Sequence, residues 1–170
     1  MIIYEHLCGV EFDLMERNCY HSLREIYKDN WNIDLTDYPC PVDYCERRMD
    51  LYAQIASSEG FTPVLCHPRD YRPGDVFLMA IDSTVGNHVG VLLDDGQMFH
   101  HLLGQLSGVT TWGGMFRNTT IGVYRHKDVP LEPAFEEQVD FRTLLPPSIR
   151  LRLEALEASM ASEHVEQLLA

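Results

Sequence analysis

The chain has 170 residues, 45% of them hydrophobic, and a formal net charge of −13, which allows one sizeable core and places it among ordinary globular proteins. The acid excess excludes sequence-blind binding to nucleic acid or to an anionic membrane, since both need basic patches. No apolar run approaches the roughly 18 residues of a membrane span, and the opening MIIYEHLCGVEFD has no basic stretch ahead of an apolar one, so neither a span nor a Sec-type signal is expected.

The first strong element is RNCYHSLREIYKD, residues 17–29. Asn18 is a good N-cap, and Leu23, Ile26 and Tyr27 recur at helical spacing, which predicts an amphipathic helix with Cys19 in its first turn. There, unpaired backbone N–H groups and the positive end of the helix dipole favour a thiolate, so the Cys19 thiol is expected to titrate below the ordinary value of roughly 8.5. Residues 34–45, DLTDYPCPVDYC, read as an irregular connection. A second helix is predicted within 47–61, RRMDLYAQIASSEGF, with Met49, Tyr52, Ile55 and Ala56 on one face and Gly60 as C-cap.

From residue 62 the periodicity changes to that of strands. TPVLC is a short candidate, RPGDVFLMAI is a turn opening an apolar strand, NHVGVLLDDGQMFHHLL is a hairpin about Asp94 to Gly96, and TIGVYRH closes the region. Helices first and antiparallel strands after predict an α+β fold with the helices on one face of a sheet. Residues 127–147 read as a proline-punctuated arm, and a last helix from about Ser148 to Leu169 carries Ile149, Leu153, Leu156 and Met160 on one stripe. Acidic residues concentrate in the first sixty and last forty positions, leaving 61–130 nearly neutral.

His88 opens one strand of the hairpin and His100 ends the other, so the two can lie near each other on neighbouring strands. A thiol nucleophile needs one imidazole to hold its proton and a third polar group to fix that imidazole's tautomer. His101, with the opposite strand direction, is expected at the surface or in a contact, and His21 is expected to be structural. Five cysteines, at 8, 19, 40, 45 and 66, are an odd count and fit synthesis in a reducing compartment. Cys40, Cys45, Cys66 and His67 offer a metal site as an alternative, but C-x₄-C is not a tight structural-zinc spacing, and no metal or cofactor is expected.

Taken in order, NCYHSLREIY, the Pro-Gly-Asp turn at 73–75, NHVGVLL and DGQMFHH resemble the successive signatures of the NlpC/P60 cysteine peptidases, over about residues 7 to 126. The sequence is more narrowly similar to the members found in long-tailed phages. The resemblance implies a papain-like fold and amide hydrolysis in bacterial peptidoglycan stem peptides through an acyl-enzyme. It implies Cys19 as nucleophile, His88 as general base, His100 as the orienting residue, and backbone groups at Asn18 and Cys19 as cap and oxyanion donors. Phe12, Tyr20 and His101 are substrate-side candidates. The family usually has Asp where Asn18 stands, a tyrosine where Phe12 stands, and a glycine where Met15 stands.

The implied organisation is a peptidase domain over 1–126 and a docking arm and amphipathic helix over 127–170. The implied setting is a virion component at a phage tail tip, made in the host cytoplasm and partnered by tail hub or tip proteins, which would need no secretion signal. One alternative is a weakly active or inactive assembly protein of the tail tip. Another is a cysteine acyltransferase, whose histidines would precede the cysteine, the reverse of the order here.

Overall fold

The computed structural model describes residues 1–39, 41 and 43–130. The expected last helix and all of the arm beyond Pro130 lie outside the described residues, as does Cys40.

Helix α1 (Cys19–Trp31) begins where the sequence predicts. Asn18 is extended, and its side-chain oxygen accepts the N–H groups of Tyr20 and His21 at 2.9 and 3.1 Å, satisfying two donors that a helix start leaves open. The helix ends at Asn32, which adopts the left-handed conformation and donates to Lys28 O. Leu23, Ile26 and Tyr27 form its buried face, as their spacing requires. Helix α2 (Leu51–Ala56) is shorter than expected. Arg48 has a φ of 53°, which breaks any helix running from residue 47, and the Asp50 carboxylate caps the turn that follows. Gly60, at φ 88°, does close this region, three residues beyond the helix's own C-cap at Ser57.

Six strands follow: β1 (Phe61–Pro63), β2 (Val76–Met79), β3 (His88–Leu92), β4 (Gln97–His100), β5 (Gly108–Thr111) and β6 (Thr120–His126), with a short helix α3 (Gly114–Thr119) before the last. They pair antiparallel in the order β1-β6-β2-β3-β4-β5. The α+β architecture expected from the sequence is therefore present. Alternation divides the sheet's side chains. Val76, Leu78, Val89 and Val91 join Leu23, Ile26 and Tyr27 of α1 in one core, whereas Phe77, Met79, Leu92, Met98 and Val123 form a second core with Trp112 and Phe116. The second face is covered as well, by Tyr71, by Trp112 after β5 and by Phe116 of α3. This explains why β2 and β3 are apolar without interruption: both of their faces are buried.

The Pro-Gly-Asp turn locks α1 to the sheet. Gly74, at φ 87°, lets its carbonyl accept the Tyr27 hydroxyl at 2.6 Å, and a Cβ there would meet the Trp31 ring at 2.8 Å. Asp75 is fully buried and takes both guanidinium bonds of Arg125 at 2.7 Å, tying the start of β2 to β6.

Candidate active site

Cys19, the first residue of α1, sits against β3 in the first of the two cores. Its sulfur lies 3.5 Å from the Tyr52 hydroxyl of α2, and the backbone of Val89, the residue after His88, also reaches it. The thiol is only 7% exposed. Burial pushes it above the ordinary range, and the Tyr52 hydroxyl together with the backbone of Val89, Tyr20 and Cys19 itself only partly offsets that. This reverses the expected direction. A helix start favours the anion, but the loss of water around the sulfur outweighs it.

His88 and His100 meet as expected. His88 Nε2 and His100 Nδ1 are 3.2 Å apart. The strand register sets Gly90 opposite His100, and a Cβ on Gly90 would meet the Met98 sulfur at 2.5 Å, so the glycine leaves room for the Met98 side chain between β3 and β4. Burial, and the neighbouring His100 and His101, lower His88 to about 3. His88 is neutral throughout the physiological range, as a proton acceptor must be. Register also pairs His88 with Met79, which belongs to the second core, while Val89 turns toward α1. No hydrogen bond joins Cys19 to His88 among the described residues.

The other candidates fall in two groups. Asn18 is buried at the head of α1 and also donates to Leu14 O at 2.7 Å, which fixes the loop ahead of the cysteine. Tyr20 donates its hydroxyl to Thr36 O at 2.8 Å and walls a groove of about 310 Å³ beside the cysteine, shared with Leu14, Met15, Asn18, Tyr38 and Tyr52. The Phe12 ring meets His101 edge-on at 5.2 Å.

His101 is not at the surface. It is 1% exposed, because the N-terminal segment crosses the end of β4: Val10 N donates to Ser107 Oγ at 2.8 Å and Ser107 N returns a bond to Val10 O at 3.0 Å. His21 pairs with Asp37 at 3.5 Å on the outer side of α1, which fits its structural reading. Among the described residues no group of His, Cys, Asp and Glu side chains is arranged to hold a metal ion. Cys45 stays a free thiol there, as do the exposed Cys8 and Cys66. No helix among them is long and apolar enough to cross a membrane.

Tyr52 is the site residue that the sequence analysis did not single out. Its spacing marked it as part of a helix's packing face, and the one available signal was indirect: a phenylalanine at position 12 leaves a hydroxyl to be supplied from elsewhere.

The family model for the NlpC/P60 family matches residues 15–125. The chain is 27% identical over 128 residues to the tail tip assembly protein K of Escherichia phage N15, covering 70% of this chain and 51% of that protein. It is 28% identical over 122 residues to the tail tip assembly protein K of Escherichia phage lambda, covering 72% of this chain and 60% of that protein. The chain therefore spans about half to three fifths of the length of these relatives. With a family match that takes in α1, the Pro-Gly-Asp turn and the two-histidine hairpin, this chain belongs to the NlpC/P60 family.

Proposed function

We propose that the chain is a phage tail-tip cysteine peptidase that hydrolyses amide bonds of peptidoglycan stem peptides during cell-wall penetration. The observation that carries this reading is the placement of Cys19 at the head of α1 against β3, the strand that His88 opens and from which it bonds His100.

In this scheme the Cys19 proton passes to His88 as the sulfur attacks the scissile carbonyl carbon. The oxyanion is received by backbone N–H groups at the head of α1, and His88 gives the proton to the leaving amine. Water then attacks the acyl-enzyme with His88 accepting its proton, and collapse returns the carboxylic acid product and the thiol. The register sets the His88 side chain with Met79 on the face away from the first core, where Cys19 packs, so the first step requires the His88 ring, at the very start of β3, to turn toward the sulfur. Their neutral resting forms suit a dry site, where a pre-formed thiolate and imidazolium would each be costly.

The relatives carry a name that refers to tail tip assembly, and we place this chain at the tail tip as well, partnered by tail hub or tip proteins. Tethering to a particle would raise its effective concentration at the wall. Residues 127–170 are the part we assign to docking. A second reading, assembly without turnover, is favoured by the burial of the Cys19 thiol and the absence of a bond to His88. Digestion of purified peptidoglycan, read by the masses of released fragments, tests the first reading. Tail formation supported by a Cys19→Ala chain tests the second.

A further inference from the structure

The Cys19 sulfur and the Tyr52 hydroxyl are 3.5 Å apart, and either atom can donate in that bond while the thiol is neutral. Once the sulfur is a thiolate it can only accept, and the phenol becomes the donor. The surroundings give that donor unusual weight. An apolar cavity of about 40 Å³ adjoins it, walled by Leu23, Ile55, Val76, Leu78 and Val89 as well as by Tyr52 itself. Water cannot solvate an anion well in such a place, so a single fixed hydroxyl does more there than at a surface.

Tyr52 is also held in position. Its ring meets Tyr20 edge-on at 6.1 Å, while Tyr20 is anchored through its own hydroxyl to Thr36 O at 2.8 Å. The Asp50 carboxylate caps the turn that carries Tyr52. Phe12, in contrast, is spent on His101 and offers no hydroxyl to the sulfur.

We propose that Tyr52 is a further catalytic residue, whose hydroxyl donates to the Cys19 thiolate and thereby sets the pH at which the sulfur becomes nucleophilic. The proposal rests on the reading of Cys19 as the nucleophile. No proton leaves the phenol: the proton lost by the sulfur goes to His88, and Tyr52 supplies a hydrogen bond only. Ionisable groups on the elements around the sulfur include Tyr20, His21, Arg24 and Tyr27 on α1, Tyr52 on α2 and His88 on β3, with His100 on β4 and Glu59 and Tyr124 on the walls of the adjoining cavity.

The test is site-resolved iodoacetamide labelling of the full chain across neutral and alkaline pH, read by peptide mass analysis. Cys8 and Cys66, both exposed, serve as internal references. Tyr52→Phe keeps the ring and removes only the hydroxyl that reaches the sulfur. The expected result is that the Cys19 labelling midpoint moves to higher pH and labelling at neutral pH slows by about tenfold, the scale of a lost hydrogen bond to a charged group. Cys8 and Cys66 should label as before. Tyr52→His, which restores a donor near the same place, should recover part of the shift.

An unchanged midpoint in Tyr52→Phe would overturn the proposal, and so would faster labelling, which would make the hydroxyl a mask. The readout does not depend on peptidoglycan. A Tyr52-dependent midpoint in a chain that cuts no wall would uphold the inference while removing the substrate assigned above, and wall cleavage with an unchanged midpoint would do the reverse.

Discussion

His88 Nε2 lies 3.2 Å from His100 Nδ1, with the two rings edge-on at 87°. A hydrogen bond between two neutral imidazoles needs one N–H and one lone pair. If His88 Nε2 carries the hydrogen, its Nδ1 is left with the lone pair that a base requires, and His100 acts by enforcing that tautomer. His88→Ala should therefore abolish hydrolysis. His100→Asn or His100→Gln, which keep an acceptor, should retain measurable activity, whereas His100→Ala should lose about 10²-fold or more, the scale of general-base catalysis. Rates on a soluble stem-peptide substrate check the order. Equal loss in all three His100 variants would show that the ring itself is needed.

The same burial predicts how stability follows pH. Desolvation and the neighbouring imidazoles hold His88 at about 3, and His100 and His101 are lowered too, burial being the first cause in each. The unfolded chain takes up these protons near pH 6.5 while the folded chain refuses them, so stability is lost as pH falls from about 6.5 toward the lowered values. Thermal unfolding should show a Tm that falls progressively with acidification through this window. His101→Phe, which removes a buried titrating ring that touches no described catalytic contact, should flatten the fall. A pH-independent Tm would contradict the buried neutral imidazoles.

The Asp75–Arg125 pair is fully buried on its carboxylate side, with Asp75 also accepting Arg72 N at 2.9 Å. Removing Asp75 leaves the Arg125 charge, 22% exposed, without its partner and Arg72 N without its acceptor, a loss of about 3 kcal/mol, the low end for buried pairs. Asp75→Ala should unfold at much lower denaturant concentration than the parent. Because the pair anchors β2 and β6 and not the hairpin, Asp75→Ala molecules that remain folded should keep their Cys19 labelling profile. Equilibrium urea unfolding with labelling below the transition separates the two effects.

Much of this was legible in the sequence because it is local. The cap at Asn18, the stripe Leu23, Ile26 and Tyr27, and the hairpin turn at Asp94 to Gly96 each depend on neighbours within a few residues, and each lies where the pattern put it. The histidine pair followed from hairpin register. What was not legible is long-range. The burial of His101 depends on the N-terminal segment, some ninety residues away in sequence. Helix α3 has six residues, too few for a 3.6-residue period to register, and β5 has no alternation to mark it. Local rules gave Cys19 the helix-start effect but not its burial in the first core, which reverses the sign.

The docking role assigned to residues 127–170 can be tried in the full chain. Leu153→Asp and Leu156→Asp interrupt the apolar stripe read from the sequence. If the stripe meets a tail protein, the double variant should no longer co-purify with tails, while the thermal transition stays at the parent's temperature. A lower transition with tail association intact would place those leucines in this chain's own core instead.

The most direct measurement is mass analysis of the soluble fragments released from purified peptidoglycan by the full chain, run beside Cys19→Ala at matched concentration and confirmed fold. Hydrolysis of a stem-peptide amide creates one new carboxyl and one new amine per cut, so the fragments should appear in pairs whose masses sum to the intact stem peptide plus one water. They should be absent with Cys19→Ala. A folded wild-type chain that releases no such fragments, or a Cys19→Ala chain that releases them equally, would contradict the assignment of Cys19 as a peptidase nucleophile.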